Sequence, residues 1–172
     1  WGMSEGSIDP NVIAFIRYRP ELLFDFDKDS VAWASPRTWE SVSDIVKADS
    51  KGMVVNSQDQ SLIGGTVGDS VAIEFCAFMG MVNTLPDVSA IIKNPETYEV
   101  SDDPSVLYAL TGALARRSDA TNFDAIITYM TRDEMSNEFA VLCINDAITV
   151  NPKLAKTKAY VDFMGKYQHI MS

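Results

Sequence analysis

A chain of 172 residues with 47% hydrophobic side chains, three Trp, six Tyr and eight Phe carries enough apolar material for one substantial core; one domain is expected, with two small ones the alternative. Its 24 acidic against 14 basic residues give a formal net charge of −10, which repels a polyphosphate backbone and argues against nucleic acid as a partner. No apolar run approaches the roughly 18 residues of a membrane span, and no basic segment precedes a hydrophobic one near the N-terminus, so a soluble, cytoplasmic protein without membrane contact is expected.

Helical periodicity dominates from the start. Asp9-Pro10 supplies a cap and a first-turn proline, Val12, Phe15 and Ile16 follow at helical spacing, and Pro20 stops or kinks that helix ahead of a further turn over Glu21 to Phe24. A connection of about ten residues, Asp25 to Ala34, leads to Ser35-Pro36, which opens a helix with Trp39, Val42 and Val46 on one face and the polar run KADSKG at its end. From Gln58 to Val82 the pattern is longer, with Val71, Phe75, Phe78, Met79 and Val82 at steps of three and four.

A short helix is expected from Leu85 to Asn94, then a loop, NPETYEVSDDP. Asp103-Pro104 begins the next helix, with Val106, Leu107, Leu110 and Leu114 on its apolar face. Thr121 is read as the cap of a helix carrying Phe123, Ile126, Ile127 and Met130, and another helix follows with Met135, Phe139, Leu142, Cys143 and Ala147. The last, after Asn151-Pro152, sets Tyr160, Phe163, Met164, Tyr167 and Met171 on one side. Hairpin turns and long alternating runs are absent, so the expectation is an all-α bundle or short array of seven to nine helices, a single helical domain over 1–172 with residues 1–50 as its opening helices and 58–172 as the remainder.

Little of the polar sequence suggests chemistry. Cys76 and Cys143 lie in apolar helical runs without CxxC spacing and read as buried free thiols. His169 is the single histidine, so no two-histidine metal site and no convincing Ser-His or Cys-His pair can be built, and an ordinary position in a last helical turn is its simplest reading. The stretch GGTVGDS, Gly64 to Ser70, fails as a phosphate loop because the spacing is wrong and Asp69 stands where a lysine is required, leaving its glycines as close-packing or loop positions. Glu74, between Ile73 and Phe75, could be a partly buried carboxylate but has no evident carboxylate partner and reads more simply as a solvated residue or half of an ion pair, and the acids of SDDP and RDEM suit helix ends.

The basic residues say more. Arg116 and Arg117 fall in a last turn, where cations complement the helix dipole, and Arg17 lies four residues before Glu21. Arg37 breaks the rule. With Ser35 as N-cap and Pro36 at N1, it occupies N2, where a cation costs roughly 0.3–1 kcal/mol unless something anionic is near. A guanidinium fork beside a helix N-terminus suits a phosphate oxygen; the ordinary alternative turns Arg37 back to Glu40 or against Trp33 or Trp39.

NVIAFIRYRPELLFDFD, followed by WASPRTWESVSDI, then GTVGDSVAIEFCAF and NPETYEV with DDPSVLYAL, resembles the C-terminal part of MoxR-like AAA+ ATPases, especially those of bacteriophages and prophages. The resemblance covers most of the chain, and FIRYRPELL and SPRTWE are its most specific pieces. It implies a helical lid in which Arg37, in the SPR context, is the sensor 2 arginine that reaches the γ-phosphate of ATP, with Val12 or Ile13 against the base and Arg17 and Arg19 at a core-lid or inter-subunit interface. It also implies a homo-oligomeric ring that uses ATP and Mg to remodel a protein partner, in the host cytoplasm if the source is viral. The chain departs from the family in having no Walker A motif and no convincing Walker B strand, so alone it is expected neither to bind ATP tightly nor to hydrolyse it. The start at Trp1 suggests a piece of a longer protein whose nucleotide-binding core lies upstream. The alternative is a non-enzymatic helical interaction or scaffold protein of phage or bacterial origin; a DNA-associated phage factor is disfavoured by the charge.

Overall fold

The computed structural model describes residues 8–26, 28, 31–48, 57–82 and 84–171, with residues 57 and 168–171 by backbone alone. Among these residues the protein is all-α, with nine α-helices and two short 3-10 helices and no strand beyond a single bridge between Asp25 and Ala34. Internal contacts divide the chain into two compact units, Trp1–Leu85 and Pro86–Ser172, which are described in turn.

In the first unit α1 spans Pro10–Tyr18, α2 Pro36–Ala48, α3 Ser57–Val67 and α4 Asp69–Val82. Helix α1 starts where the Asp9 carboxylate accepts the Asn11 N–H at 2.8 Å and Pro10 sits in the first turn. It ends before Pro20, which lacks the N–H a further turn needs, and the chain tightens into a 3-10 helix over Pro20–Leu23. The apolar side of α1 supplies Phe15, whose ring centroid lies 5.6 Å from Trp39 of α2 and 5.2 and 5.4 Å from Phe75 and Phe78 of α4. Trp39 and Phe75 meet edge-on as well, so three helices converge on one set of buried rings.

The apolar pattern from Gln58 to Val82 is two helices. Gly68 interrupts it with φ of +96°, a left-handed conformation that a side chain strains, and a Cβ there would stand 3.2 Å from the Ala32 carbonyl oxygen. The bend brings Gly64 against Asp69, where a Cβ would meet Oδ1 at 2.5 Å, so Gly64 is a close-packing position as expected. Gly68 is a loop position, one of the two roles expected of these glycines, and a single residue in positive φ redirects the chain there without any gap in the apolar spacing.

The second unit holds α5, Val88–Lys93; α6, Pro104–Arg117; α7, Phe123–Met130; α8, Asn137–Val150; and α9, Lys158–Met171, the last preceded by a 3-10 helix over Pro152–Lys156. Helix α8 is its centre. It packs against α6, α7 and α9, and Phe139, Ala140, Cys143, Ile144 and Ala147 are buried along it. Loop 94–103 is held down by two backbone carbonyls: the Tyr129 hydroxyl donates to Glu99 O at 3.1 Å, and the Arg132 guanidinium donates to Tyr98 O. Helix α7 is capped one residue later than expected, at Asn122. Thr121 instead donates both its N–H and its hydroxyl to the Asp119 carboxylate, and Asn122 precedes the first helical residue. Met135 is buried in the turn before α8 and not within a helix.

Two outcomes follow from this packing. Phe15→Ala empties a site bordered by three rings and should cost about 3–5 kcal/mol, read by urea unfolding monitored through tryptophan fluorescence. In the second unit the Ser105 hydroxyl and N–H hold the Asp103 carboxyl below the usual aspartate range, and those of Thr121 do the same to Asp119. A carboxyl depressed in the folded chain contributes its full stability above its unfolded value of about 3.9 and loses it as the pH falls through the folded value, because the unfolded chain then binds more protons. Replacing both by Asn keeps an oxygen acceptor and removes the titration. Thermal melts taken at falling pH should therefore show a smaller acid loss in the double variant than in the parent.

Candidate functional site

The first turn of α2 is built by reciprocal capping. The Thr38 N–H donates to Ser35 Oγ at 3.2 Å while the Ser35 N–H donates to Thr38 Oγ1 at 2.8 Å, so two end groups of the helix are satisfied by each other's side chains. The Thr38 hydroxyl also lies within reach of the carbonyls of Trp33 and Ser35. Between these two capping residues stands Arg37, exposed to solvent. Among the described residues it makes no ion pair with Glu40 and no ring contact with Trp33 or Trp39. The helix end thus presents a guanidinium outward, without the internal partner that would offset an unfavourable position.

The placement of that turn is set from below. Trp39 is fully buried, and its indole N–H donates to Leu22 O at 2.8 Å, from one helix to the 3-10 turn seventeen residues earlier. One turn further along α2, Ser43 Oγ is buried and accepts the Asp9 N–H at 2.7 Å, at the start of α1. The Asp25 N–H bonds Ala34 O at 3.0 Å, which brings the chain back to Ser35. Trp39 reads in the sequence as one apolar residue on a stripe; its hydrogen bond was the missed feature. The available signal is chemical: a buried tryptophan carries a donor that needs an acceptor.

Arg19 is committed elsewhere. Its guanidinium pairs with Glu21 and with Glu74 of α4, all three groups being partly exposed, and the bond from Arg19 holds the Glu21 carboxyl below the usual glutamate range. This pair joins the end of α1 to α4, and Glu74 thereby gains the partner its sequence context did not reveal. Arg17 is half-buried on α1 and has an interaction of its own. Val12 is fully buried in the core of the unit, whereas Ile13 is half-buried and is the one of the two with surface to offer.

Beside this turn the connection 25–34 exposes aromatic surface. Phe24 and Phe26 are 64% and 58% exposed, Val31 is wholly exposed, and Phe26 meets Trp33 edge-on at 5.2 Å. An open cleft of about 330 Å³ runs along the flank of α2 between Trp33, Thr38, Ser41 and Thr66.

The remaining candidates assemble no reaction centre. Cys143 is fully buried, its thiol pushed up by burial and by Asp146, and bonds Thr111 O at 3.6 Å; Cys76 is only half-buried, less covered than its apolar run suggested, because it lies at the margin of the α4 stripe. The Tyr129 hydroxyl is pushed up to about 12 by burial and serves as a donor to backbone. Among the described residues no group of three His, Cys, Asp or Glu side chains is arranged to hold a metal ion, and the His169 side chain lies outside them. No helix among them is long and apolar enough to cross a membrane.

Compared with protein-family models, with curated proteins and with solved structures, the chain matches none.

The Arg19–Glu74 pair is open to water, and ion pairs of that kind contribute little. Glu74→Gln should lower the unfolding free energy by less than about 1 kcal/mol, and the difference should shrink at high ionic strength in matched urea titrations.

Proposed function

We propose that this chain is the helical lid and C-terminal region of a MoxR-like AAA+ ATPase, and that Arg37 is the residue through which it senses the γ-phosphate of bound ATP. One observation supports this reading above the others: an outward-facing guanidinium on the second residue of a helix whose first turn is capped by Ser35 and Thr38, with no partner among the described residues. A cation in that position is unfavourable when the chain is alone and favourable when an anion approaches the same helix end. Phosphoryl transfer offers such an anion, with charge spread over the oxygens of the transferred group, and a fork of donors held rigidly opposite it lowers the barrier.

In this proposal the nucleotide-binding core lies upstream and supplies the phosphate loop, the Mg ligands and the attacking water. The residues of this chain contribute charge and position. Ser35 and Thr38 keep the first turn of α2 closed, Arg37 extends from it, and Arg19 serves the internal bracing of the lid through Glu74. Ile13 is the residue of α1 left to approach the base. ATP-driven ring assembly and the remodelling of a protein partner belong to the same proposal.

The exposed apolar group Phe24, Phe26, Val31 and Trp33 favours a second reading, a helical interaction module that works without nucleotide. The two separate in one experiment on the protein encoded by the complete open reading frame. Under the first, that protein releases phosphate from ATP, and Arg37→Ala lowers turnover about a hundredfold or more while the helical circular dichroism spectrum and melting temperature stay unchanged. Unchanged turnover in the variant removes the sensor role, and a complete protein without a G-x-x-x-x-G-K-[ST] loop or ATPase activity leaves the second reading.

A further inference from the structure

Resting on the lid reading, we propose that Trp39 is a positioning residue for the Arg37 guanidinium, acting through its hydrogen bond to the Leu22 carbonyl. The two sequence segments that stand out in the chain, FIRYRPELL and SPRTWE, are far apart in register, yet this one bond of 2.8 Å joins them. It lies on the first turn of α2, two residues from Arg37, so it fixes the part of the helix from which the guanidinium extends.

Three features give the bond this role. The indole is fully buried, so no water can replace the carbonyl when the turn shifts. Its ring is enclosed by Phe15 and Phe75 at 5.6 Å, which hold the plane of the indole and thus the direction of its N–H. The acceptor belongs to a 3-10 turn anchored from the other side by Arg19, the residue immediately before that turn, which is paired with Glu74. The bond from Asp9 to Ser43 acts a turn further along, and the Asp25–Ala34 bond holds the backbone ahead of Ser35, so within the first turn of α2 Trp39 is the residue tied to the turn after α1.

A group that meets its target only in the transition state loses its effect when displaced by a fraction of a bond length, and the loss falls on kcat and not on KM. The test uses the ATPase encoded by the complete open reading frame, with Trp39→Phe, Arg37→Ala and the double variant assayed for steady-state ATP turnover. Phe keeps an aromatic ring against Phe15 and Phe75 and removes the donor. Trp39→Phe is expected to lower kcat roughly tenfold with KM for ATP within about twofold of the parent. The double variant is expected to turn over no more slowly than Arg37→Ala alone, since a misplaced arginine and an absent one fail in the same way.

Multiplicative losses in the double variant, or normal kcat in Trp39→Phe beside a slow Arg37→Ala, overturn the positioning role and leave the sensor role standing. Normal turnover in Arg37→Ala overturns both. Benzothienylalanine at position 39 retains the shape of the indole and lacks only its N–H, so the same comparison can be made if the smaller Phe ring impairs folding.

Discussion

The buried indole of Trp39 needs a hydrogen-bond acceptor, and in a core made of rings the nearest one is a backbone carbonyl. Leu22 O can serve because Pro20 has ended α1 and turned the chain into a short 3-10 helix, whose last carbonyls have no partner within the helix. The first unit is organised by that requirement. Phe15 of α1 and Phe75 of α4 surround the ring, α2 is drawn against both helices, and Asp25 and Ala34 form a bridge. The helix start that carries Arg37 is the exposed consequence of a buried polar constraint.

The second unit solves a different problem. Its core mixes aliphatic side chains with Phe123, Tyr129 and Phe139 and is centred on α8, so its helices are positioned by side-chain volume along the α6 and α8 seam, and many of its polar bonds lie at helix ends and on the loop 94–103. Asp103, Asp119 and Ser136 meet unpaired N–H groups at turns and helix starts, which keeps the acids of this strongly acidic chain where positive helix ends favour them. The acidic balance is thus partly structural. Charge in the first unit is arranged with more consequence: Arg19 is neutralised within the unit by Glu21 and Glu74, while Arg37 is left facing outward.

The all-α class was legible because apolar residues recur at steps of three and four in every long segment, and proline or asparagine pairs punctuate them. Asp9-Pro10 and Asp103-Pro104 each open the helix they suggested, since a side-chain acceptor followed by a residue without an N–H satisfies a helix start locally, whereas Asn151-Pro152 opens a 3-10 helix and the last α-helix begins only at Lys158. Arg37 was visible as a local anomaly for the same reason, its cost being a property of its own turn. Gly68 was legible as one of the close-packing or loop glycines ahead of the apolar helix, while its positive φ leaves no mark on hydrophobic spacing. The partner of Glu74 was hidden as well, being Arg19 at a distance of fifty-five positions along the chain.

By itself the sequence determined which segments are helical, which of their faces are apolar, and that one cation stands at an unfavourable helix end, all of which are settled within a few residues by propensity, capping and the helix dipole. Only the tertiary structure decided that Arg19 is occupied and Arg37 exposed, that Val12 is covered while Ile13 keeps some surface, and that Trp39 joins α2 to the turn after α1. Those outcomes depend on which distant groups the packed rings of Phe15, Trp39 and Phe75 bring within bonding distance. Nothing in the local pattern of either partner specifies such a pairing.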